Sequence, residues 1–327
     1  MHAIRLHAFG PAENLLYEET ADPVPGPGQV RIKVAAAGVH LLDTVLRQGG
    51  TGPFPAPAEL PTVPGREVAG TVDALGEGTD PAWLGKRVVA HLGMAPGGYA
   101  ELAVTDAARL HALPDHLGEA EAVAMIGTGR TTLGILQFTE LGPDSVAIVP
   151  AAAGGIGTLL VQYAKNAGAT VIGLAGGPEK AARVAENGAD LAVDYKEPTW
   201  PEQVRAYLGD RRATIVFDSV GGDTARAAVD LLGKGGQHLV FGWSSGTELT
   251  LTEEEQAARG ITSESVLGPV MLQKAGGDVR NLELAALAAA TDGTLRPAVQ
   301  PFPLAEAAAA HRALETRGTM GKVVLIP

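Results

Sequence analysis

The run Ala151-Ala152-Ala153-Gly154-Gly155-Ile156-Gly157 follows an apolar strand pattern, Val146–Val149, and leads into a helical stretch at residues 157–167. A turn of this composition suits the cradling of a diphosphate. Such a ligand needs a tight turn, close approach of backbone without a Cβ in the way, and helix N–H groups aimed at the anion. The candidate contacts are therefore Ala153, Gly154, Gly155, Ile156 and Gly157. A plain strand-to-helix turn without a ligand is the competing reading, because G-G-x-G alone is a weak signal.

The next strand pattern, residues 170–174, narrows the choice of ligand. Sites for NAD usually carry Asp or Glu at its tip to accept from the ribose 2′-hydroxyl. Here the chain reads Ala175-Gly176-Gly177-Pro178, followed by Glu179 and Lys180. A lysine near the tip attracts a 2′-phosphate, so the expected cofactor is NADPH, with Gly176, Lys180 and Tyr195 at that phosphate. A solvated helix position is the alternative for Lys180. The adjacent Glu179 weakens the argument unless its side chain points away.

Other reactive side chains give less. There is no cysteine, which excludes disulfides, thiolate metal ligands and a cysteine nucleophile. His2, His7, His91, His111, His116, His238 and His311 do not cluster at metal-ligand spacing. Asp43 and Arg47 stand four apart, so an intrahelical ion pair is expected there. Tyr99, in Gly-Gly-Tyr-Ala-Glu, is expected to pack rather than to donate protons.

These groups need a scaffold. A chain of 327 residues is long for one core and points to two domains. Residues 1–116 are rich in Pro and Gly and in short β runs: residues 30–36 alternate apolar and basic side chains, residues 67–74 and Arg87–His91 read as further strands, and 49–64 as a loop. That texture predicts a compact β-barrel-like domain. From about residue 117, strands and helices alternate, which predicts a parallel sheet with helices on both faces. Helices are expected at 119–137, 157–167 and 179–187, with strands Leu191–Asp194, 215–217 and 238–241. After about residue 259 come two helical stretches and a last strand, Lys322–Ile326, with no evident core of their own. This tail is expected to pack on the first domain.

Charge excludes some functions. The net charge is −12 and the 25 Lys and Arg are scattered, so nucleic acid and anionic membrane are not expected partners. The apolar stretch 145–164 is broken by Pro150 and its glycines and reads as strand–turn–helix, not as a membrane span. No signal-peptide core follows Met1. A cytoplasmic location is the expectation.

Together with Gly38-Val39-His40, Asp43, Arg47, Val63-Pro64-Gly65-Arg66-Glu67, Ala69-Gly70, Gly97–Glu101, Pro178-Glu179-Lys180, Gly188-Ala189-Asp190, Asp218–Gly222 and Gly321–Val324, the glycine turn resembles the medium-chain dehydrogenase/reductase superfamily over nearly the full length. The nearest branch is the zinc-independent quinone oxidoreductases, which include zeta-crystallin. The resemblance implies an α/β chain: a GroES-like β-barrel catalytic domain (1–118 plus 260–327) with an inserted Rossmann doubly wound parallel-sheet domain (119–259) that holds NADP. It places the cofactor in the cleft between the two, with Thr131, Val240, Phe241 and Gly242 towards the nicotinamide. It matches Lys180 and Tyr195 to the 2′-phosphate, although Gly176 and Gly177 replace the usual Ser or Thr.

The zinc branch needs Cys, His and Cys around its metal. Here His40 and Arg66 stand at two of those positions, and the four-cysteine structural lobe is absent. No metal is therefore expected, although His40 and Glu67 are two groups able to bind one. His40 replaces the usual Asn of quinone oxidoreductases, and three roles stay open for it: contact with cofactor or substrate, proton donation, or filling. The implied activity is hydride transfer from NADPH to a quinone or an α,β-unsaturated carbonyl. The alternatives are an enoyl or 2-alkenal reductase acting on a C=C bond, and a non-catalytic NADPH-binding sensor or structural protein. The family often forms homodimers.

Overall fold

A computed structural model describes all 327 residues, which divide into two compact units. Unit 1 comprises residues 1–128, 286–291 and 297–327; unit 2 comprises 129–285 and 292–296.

The chain opens with β1 (His2–Leu6) and β2 (Leu15–Glu19), an antiparallel pair. Then come β3 (Gln29–Gly38), the short helix α1 (Leu41–Arg47), β4 (Glu67–Leu75), β5 (Arg87–His91), β6 (Leu102–Asp106), β7 (His111–Ala112) and helix α2 (Glu119–Ala124). One π-helical turn, Met125–Gly129, leads into α3 (Arg130–Leu136).

The alternating part follows: β8 (Val146–Val149), α4 (Gly155–Asn166), β9 (Thr170–Ala175), α5 (Pro178–Glu186), β10 (Leu191–Asp194), α6 (Trp200–Leu208), β11 (Ala213–Asp218), α7 (Gly222–Val229), β12 (Leu232–Val240), α8 (Glu253–Arg259), β13 (Thr262–Ser265), α9 (Pro269–Lys274) and α10 (Val279–Thr291). The chain ends with β14 (Val299–Pro303), α11 (Ala307–Glu315) and β15 (Lys322–Ile326).

In unit 1 the main sheet runs β14-β15-β3-β4-β5-β7, with β6 also paired to β3. Two register shifts between β3 and β4 bend it. Its core gathers Ile4, Val30, Ile32, Val68, Val88, Tyr99, Leu110, Val323 and Leu325. Strand β3 alternates buried and exposed side chains over Val30–Val34, as its period-2 sequence requires. β15, the last strand, pairs antiparallel with the end of β3, so Lys322 is carried beside the α1 end of that strand.

In unit 2 all six strands are parallel, in the order β10-β9-β8-β11-β12-β13. The chain builds outward on one side of β8 and then on the other, so the switch lies between β8 and β11. In such sheets ligands bind beyond the carboxyl ends of the strands at the switch. All four residues of β8 are buried, as expected where helices cover both faces.

Three sequence expectations differ from this architecture. The helix expected at 119–137 is two helices joined by the π turn, and α2 packs on β3, β4 and β5 of unit 1. In the two-unit division, the first unit runs on to residue 128 and residues 260–285 fall in the second unit. The tail does not all return to the first unit either: β13 hydrogen-bonds to β12 and extends the parallel sheet. Its sequence, Thr-Ser-Glu-Ser, carries no apolar alternation to announce a strand. Finally, α4 begins at Gly155 rather than 157.

Candidate active site

Unit 2 supplies the glycine turn. Ala151 leaves β8 in the left-handed region, φ +51°, which is uncommon for a residue with a Cβ. Its neighbour Ala152 donates from N–H to the Leu174 carbonyl (2.9 Å), and Gly154 N–H donates to the Ala151 carbonyl (2.9 Å). Gly154 then caps α4, and no side chain caps the helix in its place. The N-terminus of this twelve-residue helix therefore presents its first-turn N–H groups and its positive dipole end together. A Cβ on Gly157 would lie 2.4 Å from the Ala151 carbonyl oxygen and 2.6 Å from Ala152 Cα. Both obstacles are backbone, so only glycine lets helix and turn approach this closely. A diphosphate fits this arrangement of Ala153, Gly154, Gly155, Ile156 and Gly157.

A second feature lies at the tip of β9. A Cβ on Gly176 would stand 2.7 Å from Tyr195 Oη, so the phenol lies over the Gly176 backbone. Lys180 is the third residue of α5, just past Gly177, whose φ is +107°. Two further residues escaped the sequence reading. Lys196 Cε lies 3.5 Å from that same Gly176 Cβ position. Asp194 is an acid close to the tip, but its Oδ1 accepts from Gly177 N–H (2.8 Å) and Lys196 N–H (2.9 Å). These donors offset the repulsion its charge would exert on a nearby anion.

Val240 ends β12 beside Asp218 at the end of β11, and Phe241 and Gly242 follow it. Phe241 N–H donates to the Asp218 carbonyl (2.8 Å), and a Gly242 Cβ would lie 3.2 Å from the Ser219 carbonyl oxygen. The Val240 and Phe241 side chains are buried. Asp218 fixes this corner: its Oδ1 accepts from Val220 and Gly221 N–H, and its Oδ2 lies 3.2 Å from His238 Nε2. Thr131 is half-buried in the first turn of α3.

Unit 1 places His40 in a charged cluster. His40 precedes α1, and its backbone N–H donates to Asp43 Oδ2 (2.9 Å). Its Nε2 lies 2.5 Å from Glu67 Oε1 and 2.9 Å from Lys322 Nζ, and Lys322 Nζ lies 2.8 Å from Glu67 Oε2. Glu67 and Lys322 are buried, whereas the His40 side chain is 34 % exposed. Burial pushes the Glu67 carboxyl up, but the His40 and Lys322 cations outweigh it and hold the group well below the usual carboxylate range. The backbone is shaped around this carboxylate: Cβ atoms on Gly38 and Gly127 would lie 2.3 and 1.5 Å from its oxygens.

Asp43 and Arg47 do not form the expected intrahelical pair. Arg47 pairs with Glu315 of α11, and Asp43 turns to His40 N–H, to Tyr99 Oη (2.8 Å) and to Arg66 (3.8 Å). Partners from elsewhere in the unit, the exposed Glu315 for Arg47 and the buried Tyr99 for Asp43, take the place of the helix neighbour. Tyr99 is fully buried; burial and the Asp43 charge push its hydroxyl well above the ordinary phenol range. Tyr99→Phe should cost about 1.5–3 kcal/mol, the worth of a hydrogen bond to a charged group. Urea unfolding checks this, and an unchanged stability would count against the bond.

The family description "Zinc-binding dehydrogenase" matches residues 155–275, and "Alcohol dehydrogenase GroES-like domain" matches residues 26–115. A quinone oxidoreductase of Salmonella typhimurium is 32 % identical over 331 residues, covering 99 % of both chains. The chain belongs to the quinone oxidoreductase branch of the medium-chain dehydrogenase/reductase superfamily. A 2-haloacrylate reductase of a Burkholderia species is similar at 32 % identity, covering 98 % of both chains. The crystal structure of Escherichia coli quinone oxidoreductase complexed with NADPH superposes with a TM-score of 0.85, at 29 % identity and with full coverage of both chains. Unit 1 is thus the GroES-like part of this family's fold and unit 2 the Rossmann part.

The zinc of the family's name does not fit the residues present. The chain has no thiolate to offer, and the Arg66 guanidinium stands beside Glu67 in sequence. The two groups with donor atoms, His40 and Glu67, are both contacted by the Lys322 ammonium. A divalent cation there would meet a fixed positive charge.

Proposed function

We propose that this protein is an NADPH-dependent, metal-independent reductase whose hydride acceptor is a quinone or an α,β-unsaturated carbonyl. The observation that carries the reading is the α4 turn, where Gly157 packs against backbone and the helix N-terminus is left for an anion. The quinone oxidoreductase relatives and the NADPH complex of the E. coli enzyme support it.

NADPH supplies a hydride from C4 of its nicotinamide. The first-turn N–H groups of α4 hold the pyrophosphate. Lys180, Tyr195 and the exposed Lys196 receive the 2′-phosphate over Gly176, and the nearby Asp194 carboxylate accepts at Oδ1 from two backbone N–H groups. Thr131, Val240, Phe241 and Gly242 are our candidates at the nicotinamide end, and His40 is the candidate that touches acceptor or cofactor. Without a metal, charge developing on the acceptor oxygen is met by hydrogen-bond donors. A quinone or enone, whose anion is delocalised, asks least of such a site.

Lys180→Ala should weaken NADPH by about 2 kcal/mol, one charge-assisted contact, and leave NADH nearly unchanged. Fluorescence titration with both cofactors checks this; equal losses would contradict the phosphate assignment. To separate acceptors, a 1,4-quinone and a 2-enal are compared at saturating NADPH. We expect the quinone to be preferred. Preference for the enal would favour C=C reduction, the chemistry in the name of the 2-haloacrylate reductase. Turnover of neither would overturn the reading and leave a binding protein.

The reading includes a homodimer. β13 ends the six-stranded sheet with one edge unpaired, and Leu267, Val270 and Leu272 just after it are exposed. Sedimentation velocity should give twice the chain mass.

A further inference from the structure

The parallel sheet of unit 2 carries a row of polar side chains where apolar ones are expected. Val216 stands opposite His238 and His238 opposite Ser263, so Asp218, two residues past Val216, shares their face of the sheet. Asp218 and His238 are completely buried. His238 Nδ1 lies 2.8 Å from Ser263 Oγ, and its Nε2 lies 3.2 Å from Asp218 Oδ2. A ring that carries its hydrogen on Nε2 donates to Asp218 and accepts from the Ser263 hydroxyl at Nδ1, which satisfies each group in the row. The outer end is held as well: Ser263 N–H donates to Gln256 Oε1 of α8 (2.8 Å). Apolar side chains at these positions would suit a buried sheet without the cost of desolvating polar atoms. What the polar row adds is a fixed direction for each of its members.

The inner end of the row sets a tight corner. Asp218 Oδ1 accepts from Val220 N–H (2.8 Å) and Gly221 N–H (2.9 Å). The segment after β12 is laced to the same corner. Phe241 N–H donates to the Asp218 carbonyl (2.8 Å), Ser244 N–H to the Ser219 carbonyl (3.1 Å) and Ser245 N–H to the Val220 carbonyl (2.8 Å). No slack remains, because a Cβ on Gly221 would collide with the Thr247 carbonyl oxygen. Rotation of the Asp218 carboxyl would therefore move both segments together.

We infer that His238 and Ser263 are positioning residues for the nicotinamide half of the cofactor. They lock the Asp218 carboxyl, and through it the corner that carries Val240, Phe241 and Gly242. The inference rests on the NADPH reading above and on the place it gives these three residues. That reading puts the adenosine half at α4 and the tip of β9, which β8 and β11 separate from β12 in the sheet. The row should therefore act on one half of the cofactor and not on the other.

The test compares two ligands on the full chain: NADPH, and adenosine 2′,5′-diphosphate, which keeps the adenosine and the 2′-phosphate but has no nicotinamide. His238→Leu should weaken NADPH at least about tenfold and adenosine 2′,5′-diphosphate less than about twofold. His238→Gln, whose amide still donates to Asp218, should restore most of the NADPH affinity. Ser263→Ala should lose about threefold for NADPH alone. Without ligand, hydrogen exchange at the Val220 and Gly221 amides should quicken in His238→Leu and Ser263→Ala, and not in His238→Gln. Should His238→Leu fail to fold, Ser263→Ala and His238→Gln carry the same comparison. Equal losses for both ligands, or no rescue by glutamine, would reduce the row to a brace of the fold and overturn the inference. Faster exchange with unchanged NADPH affinity would overturn the nicotinamide placement and leave the link from His238 to the corner standing. If wild type binds neither ligand, the NADPH reading falls and the inference falls with it.

Discussion

Gly157→Ala should bind NADPH about a hundredfold to ten-thousandfold more weakly than wild type, the loss of two charge-assisted hydrogen bonds or about 3–6 kcal/mol. The added Cβ has nowhere to go: it would stand 2.4 Å from the Ala151 oxygen and 2.6 Å from Ala152 Cα, and backbone cannot rotate aside as a side chain can. Helix α4 must withdraw from the turn. Its N–H groups then no longer converge on the pyrophosphate, and hydrogen bonds weaken steeply as they lose distance and alignment. NADH should lose as much as NADPH, because both carry the same diphosphate. Gly154 is a built-in comparison. A Cβ there meets only the Ala151 oxygen, at 3.2 Å, so Gly154→Ala should cost far less. Titration of both variants by cofactor fluorescence, with circular dichroism to confirm folding, checks the pair. Equal affinities for wild type and Gly157→Ala would contradict the assignment of the turn.

Acid should destabilise unit 1 through His311. This residue is buried beside Tyr99 (3.3 Å) and its Nδ1 has no hydrogen-bond partner. Burial chiefly lowers its pKa to about 4, with the Arg47 charge acting in the same direction and Asp43 and Glu315 against. The folded state therefore takes up its proton only near pH 4, whereas the unfolded chain takes it up near pH 6.5. Stability is fully present above the unfolded value and is lost as pH falls between the two, reaching about 3 kcal/mol in all. Between pH 7 and pH 5 the loss from this one residue should be about 2 kcal/mol. Urea unfolding at the two pH values measures it. His311→Gln should flatten that interval; the same slope in the variant would place the acid sensitivity elsewhere.

What could be read in the sequence was local. The glycine turn is legible because strand, glycines and helix are consecutive, and their spacing states the geometry that phosphate binding needs. The place of Lys180 in the first turn of α5 is legible for the same reason, whereas Asp194, brought to the tip of β9 from the next strand, is not. The His40 cluster is not, because Lys322 meets it only after β15 pairs with β3, and no pattern in either segment announces the other. The same distance misled the reading of Arg47. Its spacing from Asp43 allows a helix pair, but Glu315, 268 residues away, takes it. At the domain boundary, α2 and α3 share one helical period, so the sequence does not mark the π turn between them. The edge strand β13 was hidden by its polar composition: three of its four residues are exposed, and an exposed edge has no apolar face to display.

The central claim is that this chain reduces an organic acceptor with NADPH and without a metal. The direct measurement is kcat/KM for NADPH and for NADH with 1,4-benzoquinone, before and after exhaustive treatment with a chelator. NADPH should be preferred at least about tenfold, in line with one charge-assisted contact to the 2′-phosphate, and chelation should change neither value. Equal use of NADH, or activity that disappears with the chelator and returns with zinc, would contradict the account.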